Sequence, residues 1–146
     1  MSTTTISAPT SRPTSAPTTS APSRSLRRDT VVVGVVAAAV TTAAAAALHA
    51  AGVSFAVDGE MIPLGGFAQM TLLGAVIGGV LLAVLNRRSA APRRRFLETV
   101  AVLFIVTCAP SVALPDDVGT KVSLVALHLL AAAIIVPVLV RHATND

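Results

Sequence analysis

Val31–Ala51 reads VVVGVVAAAVTTAAAAALHAA, and whether this run is a strand or a helix decides the architecture of the chain. Its first half, Val31–Val40, is rich in β-branched valine, which suits a buried strand. Its second half argues otherwise. Thr41–Ala51 is almost all alanine and holds no turn former, so the element continues as one piece. In lipid only a helix satisfies every backbone N–H and C=O within a single segment, which makes the run a membrane-spanning α-helix.

Three further blocks, Gly66–Leu85, Phe96–Leu114 and Val122–Val140, follow the same rule. Each comes close to the roughly 20 residues that cross a hydrocarbon core about 30 Å thick. Of 146 residues, 53% are hydrophobic and 12% charged, whereas a soluble domain carries about a quarter charged residues. Mean hydropathy is +0.78. The apolar excess must therefore face lipid. The expected fold is an all-α membrane protein: a four-transmembrane-helix bundle over 31–141, with helices at about 31–51, 66–85, 96–114 and 122–140. A cytoplasmic tail of residues 142–146 follows it.

A net charge of +4 and a sequence pI of about 11.1 would point to nucleic acid in a soluble protein. Position decides against that partner. Arg12, Arg24, Arg27 and Arg28 precede the first block, Arg87, Arg88, Arg93, Arg94 and Arg95 lie between the second and third, and Arg141 follows the fourth. Only Lys121 falls on the other side, where Asp58, Glu60, Asp116 and Asp117 also lie. This alternation is what the positive-inside rule gives for short loops, so both termini are expected in the cytoplasm. The arginines read as topology signals and as contacts for anionic lipid rather than as a dedicated partner site.

Residues 1–30 are dominated by Ser, Thr, Pro and Ala and lack apolar periodicity, the composition of a disordered tether. They are too long for the n-region of a cleaved signal, and Leu48-His49-Ala50 is a poor cleavage site, so the first helix is read as a permanent anchor. Between the first two helices, Asp58-Gly59 separates two short apolar-rich runs, which signals a short extracytoplasmic β-hairpin. An irregular loop is the equal alternative. If the hairpin forms, it must rest on the outer helix ends, because an isolated one is marginal in water. Gly65-Gly66 is read as permitting a sharp start to the second helix.

Gly74-Ala-Val-Ile-Gly78 matches G-x-x-x-G, with Ala75 and Gly79 displaced by one, and suits close helix packing within the chain more than dimerisation. Polar groups inside the spans are few. His49, Gln69, Thr107, Cys108, Ser111 and His128 all fall in the outer half of the bundle. His49 shares a helical face with Thr42, Ala45 and Ala46, and His128 one with Ala131 and Ala132, so both imidazoles are expected to point inward. An outward-facing polar pocket of His49, Gln69, Thr107, Ser111 and His128 for a small ligand, proton or metal is one reading. The plainer one gives each group an interhelical hydrogen bond or contact with interfacial water.

Two histidines are too few for a closed zinc site, and no metal or cofactor is expected. Glu98, one turn beyond Arg94 and Arg95, reads as an interfacial ion pair ahead of a proton-coupling carboxylate. Pro110 and Pro137 each remove a helical hydrogen bond, and Thr107 is placed to help the carbonyl freed near Pro110. Cys108 stands alone, which excludes dithiol chemistry. There is no H-E-x-x-H, G-x-S-x-G or P-loop pattern, no pair of intramembrane aspartates, and no acid in the first span. Catalysis is not expected.

Leu64-Gly-Gly-Phe-Ala-Gln69, the Gly74 to Gly79 stretch, Arg94-Arg95-Phe96, Ala109-Pro110-Ser111, Leu127-His128-Leu129 and Val136-Pro137-Val138-Leu139-Val140-Arg141 give the chain a family likeness. Over roughly residues 30–141 it resembles an uncharacterised family of small actinobacterial four-helix membrane proteins, a domain of unknown function. The resemblance implies the topology already argued, a bacterial plasma membrane and no established activity. Together these readings lead to a non-enzymatic accessory or interaction subunit of the bacterial cell envelope, acting on a membrane-protein partner or as a homo-oligomer. The alternative is a small-solute or ion carrier that uses the outer polar cluster.

Overall fold

The computed structural model describes residues 23–57, 59–115 and 117–144. Four helices carry the chain back and forth: α1 (Ser23–Ala50), α2 (Leu64–Arg88), α3 (Pro92–Ala113) and α4 (Val118–Val140). The shortest has 22 residues, which at 1.5 Å per residue gives about 33 Å. All four are long and apolar enough to span a membrane, and the chain is a multi-pass membrane protein by that criterion.

Each helix starts ahead of its apolar block, for a reason that can be named. α1 begins at Ser23 rather than Val31, because Leu26, Thr30, Val33 and Ala37 form one buried stripe at helical spacing. Residues 23–30 of the expected disordered tail are thus helical, and residues 1–22 lie outside the described residues. α2 begins at Leu64 with Pro63 as its N-cap, so the expected turn at Gly65-Gly66 is already helix. α3 has Pro92 at its first position, where a missing N–H costs no helical hydrogen bond. In α4 the Asp117 side chain accepts from the Thr120 amide at 2.8 Å, a side-chain N-cap.

α1 packs along both α2 and α4, and its contacts with them set the core. Toward the arginine-rich end, Leu26, Val33, Ala37, Leu82, Phe96 and Leu139 bury together. The helices approach closely where small residues allow it. A Cβ added at Gly79 would stand 2.6 Å from the Thr30 side chain, and one at Gly78 would stand 3.0 Å from Leu139. Gly74 has nothing within 4 Å of the same position, so the close contact does not use it. The packed face of α2 runs through Ala75, Gly79 and Leu82, and its glycine contacts lie within the chain.

At the opposite end a hairpin forms. β1 (Ala56–Val57) pairs antiparallel with β2 (Glu60–Met61) in the register Ala56↔Met61 and Val57↔Glu60. Gly59 in the connecting turn has φ +81°, a left-handed conformation that glycine adopts without steric cost. Phe55 just before the hairpin has φ 50° and is 1% exposed. Its ring meets Phe67 edge-on at 5.1 Å and plugs a second apolar cluster with Ala45, Leu124 and Leu127. Burial of that ring offsets the strained backbone and seats the hairpin on the helix ends.

α3 is the outlying helix. Pro92 and Phe96 are its buried residues, and from Leu97 to Ala113 every side chain is exposed or half-buried.

Candidate functional site

The five residues of the expected polar pocket do not converge. His49, Gln69 and Thr107 are exposed, while Ser111 and His128 are half-buried. None of the five hydrogen-bonds another among the described residues. The imidazole of His49 does not point into the bundle: its Nδ1 lies 3.0 Å from the Val53 carbonyl oxygen, just past the last turn of α1. The His128 Nδ1 is 3.2 Å from its own helix's Leu124 oxygen, and its ring meets Phe104 of α3 edge-on at 6.4 Å. Thr107 donates to Leu103 O and Phe104 O, one turn short of the carbonyl that Pro110 frees. Among the described residues no three His, Cys, Asp or Glu side chains gather to hold a metal.

The polar contacts that do join helices lie elsewhere. Thr41, 2% exposed in α1, shares a 3.0 Å hydrogen bond with Thr71 of α2. Each hydroxyl also lies 2.8 Å from a carbonyl of its own helix, so one of the two donates to the other, which in turn donates to its own helix carbonyl. The neighbouring Thr42 hydroxyl is buried without a hydrogen-bond partner among the described residues. At the hairpin end, Ser54 Oγ reaches Thr120 Oγ1 at 3.5 Å.

At the arginine-rich end three elements are tied together. His142 Nε2 lies 2.9 Å from Asp29 Oδ2 of α1. Asn86 of α2 donates to the His142 carbonyl at 2.9 Å and accepts from the Thr144 amide at 3.3 Å. The segment that follows α4 therefore folds back across the helix ends, with Ala143 buried in the core. A signal for this knot is present in the chain order, since four antiparallel helices bring residues near 29, 86 and 142 to one end. Asp29, Asn86 and His142 stand just outside the apolar blocks, where a polar residue carries no signal of burial.

Arg87, Arg88, Arg93, Arg94 and Arg95 crowd around the short α2–α3 connection, and all five are exposed. Arg94 Nε donates to Glu98 Oε1 at 2.8 Å in an exposed i,i+4 pair, the interfacial ion pair expected for Glu98. Across the fold, the Thr120 amide holds the Asp117 carboxyl below the usual carboxylate range, against a smaller opposing effect of desolvation. Two shallow apolar grooves run down the outside of the bundle. One lies between Val112 and α4 residues 121–129, and the other between α1 and the second half of α4.

No curated protein and no solved structure matches the chain. One family model does, the "Family of unknown function (DUF6069)", over residues 21–145. That span takes in all four helices and the hairpin, and the chain belongs to the DUF6069 family.

Proposed function

We propose that this protein is a non-enzymatic accessory or interaction subunit of a bacterial plasma membrane, with both termini in the cytoplasm and α3 as the helix that meets its partner. The observation that carries this reading is the uneven packing of the spans. α1, α2 and α4 bury a common core, whereas α3 buries nothing beyond Phe96 and turns Val102, Ile105 and Val106 outward at 61–70% exposure. Helices associate in lipid through van der Waals packing, and an apolar helix with no fully buried residue past Phe96 keeps a broad face available for such packing. The arginine-rich end supports the cytoplasmic assignment through the positive-inside rule.

The carrier reading draws less support, since the polar side chains it needs do not come together: three are exposed and none of the five hydrogen-bonds another among the described residues. The test is crosslinked co-purification in mild detergent, with a photoreactive residue in place of Ile105 and mass spectrometry of the products. A stoichiometric membrane-protein companion crosslinked through α3 is expected. Solute flux above that of empty vesicles, lost on His128→Ala or Gln69→Leu in folded protein, would favour the carrier instead.

A further inference from the structure

We propose that the groove between α1 and α4 seats an acyl chain of an anionic phospholipid, whose phosphate lies between the guanidinium groups of Arg28 and Arg141. The groove has a volume of about 380 Å³ and is lined by Asp29, Val32, Val33, Val36, Ile134 and Val138. Its walls are aliphatic, and its one charged residue, Asp29, marks the end toward the arginines. From Asp29 to Val36 it runs about 10 Å along α1, enough for the upper part of a lipid chain.

The mouth is flanked by two cations through helix geometry alone. Arg28 precedes Val32 by four residues on α1, and Arg141 follows Val138 by three at the helical C-cap of α4, so each stands one turn from a groove wall. Both are exposed. Asp29 stands at the same mouth with its Oδ2 turned to His142 Nε2 at 2.9 Å, and the two arginines outnumber this one carboxylate. A guanidinium pair above an aliphatic groove matches a phosphate ester above a hydrocarbon chain, since guanidinium groups bind phosphate bidentately and are weakly hydrated. Net negative charge on the headgroup separates an anionic lipid from a zwitterionic one. This surface is separate from α3 and does not depend on the reading given above.

The chain has no Trp and no Tyr, so a single introduced Trp reports on its own surroundings. Val32→Trp, at a position 54% exposed, places the reporter in the groove, and Val36→Trp, at 50%, is a second reporter should the first fail to fold. Each is reconstituted in phosphatidylcholine vesicles holding an equal small fraction of acyl-brominated phosphatidylglycerol or acyl-brominated phosphatidylcholine. At least twofold stronger quenching by the phosphatidylglycerol is expected, falling to parity in the Arg28→Gln/Arg141→Gln double variant and unaffected by inorganic phosphate. Equal quenching by the two lipids overturns the proposal. So does a preference that survives the double variant, which would make the whole arginine rim the attractor, or one abolished by inorganic phosphate, which would make the site a free-anion site.

Discussion

Asp29 Oδ2 and His142 Nε2 lie 2.9 Å apart across 113 residues of sequence, and this contact fastens the segment after α4 to the first turns of α1. Asn86 completes the fastening from α2 by holding the backbone of His142 and Thr144.

If Asn86 holds that segment down, removing its amide should free Ala143, now 7% exposed. Loss of the two hydrogen bonds is worth about 1 kcal/mol, and a local opening equilibrium changes roughly fivefold for that energy. Ala143→Cys in a Cys108→Ala background should therefore react about five times faster with a maleimide once Asn86→Ala is added. An unchanged rate would mean the segment is held by apolar packing alone.

The α1–α2 contact gives a paired comparison. Gly79→Ala drives a methyl into Thr30 and should destabilise the detergent-solubilised protein by roughly 1–3 kcal/mol. Thr30→Ala removes the two atoms at 2.6 Å and should restore much of that loss. Gly74→Ala meets open space and should be neutral or stabilising by up to about 1 kcal/mol, through helix propensity. Unfolding in denaturant reads all three, and equal effects at Gly74 and Gly79 would contradict the packing described.

Phe96 is the most deeply buried residue of α3. It is fully buried, so Phe96→Ala should cost about 3–5 kcal/mol, whereas Ile105→Ala, at a position 70% exposed, should stay within about 0.5 kcal/mol. The same unfolding measurement separates them. A large loss at Ile105 in the isolated protein would place α3 inside the core.

The start of α4 should be sensitive to acid. The Thr120 amide lowers the Asp117 carboxyl below its ordinary value of 3.8, so the ionised cap is favoured by folding. Its stabilising effect is fully present above that ordinary value and is lost as pH falls through the lowered one. The Thr120 amide resonance should hold its position down to about pH 4 and move only in stronger acid. Asp117→Asn should abolish the movement. A shift already complete near neutral pH would contradict the capping contact.

Four helices were legible because hydropathy over some twenty residues is a long signal, and lipid leaves the backbone few alternatives. The Asp-Gly turn was legible too, since its left-handed requirement is local. Helix starts were not. In α1 only Leu26 and Thr30 carry the stripe into residues 23–30, and Arg27, Arg28 and Asp29 between them mask it in composition. The G-x-x-x-G spacing pointed to close packing but not to its phase: the face that meets Thr30 runs through Ala75 and Gly79, a position on from Gly74 and Gly78. His49 misled because its i−4 neighbour Ala45 is fully buried, yet the helix ends at Ala50 and the imidazole turns to the Val53 carbonyl instead.

Orientation is the claim on which the rest depends, and single cysteines in a Cys108→Ala background test it directly. Glu60, in the hairpin, and Ala90, in the α2–α3 connection, are exposed positions at opposite ends of the bundle. In intact cells a membrane-impermeant maleimide is expected to label Glu60→Cys at once and Ala90→Cys only after the membrane is permeabilised. Ready labelling of Ala90→Cys from outside intact cells would contradict the account.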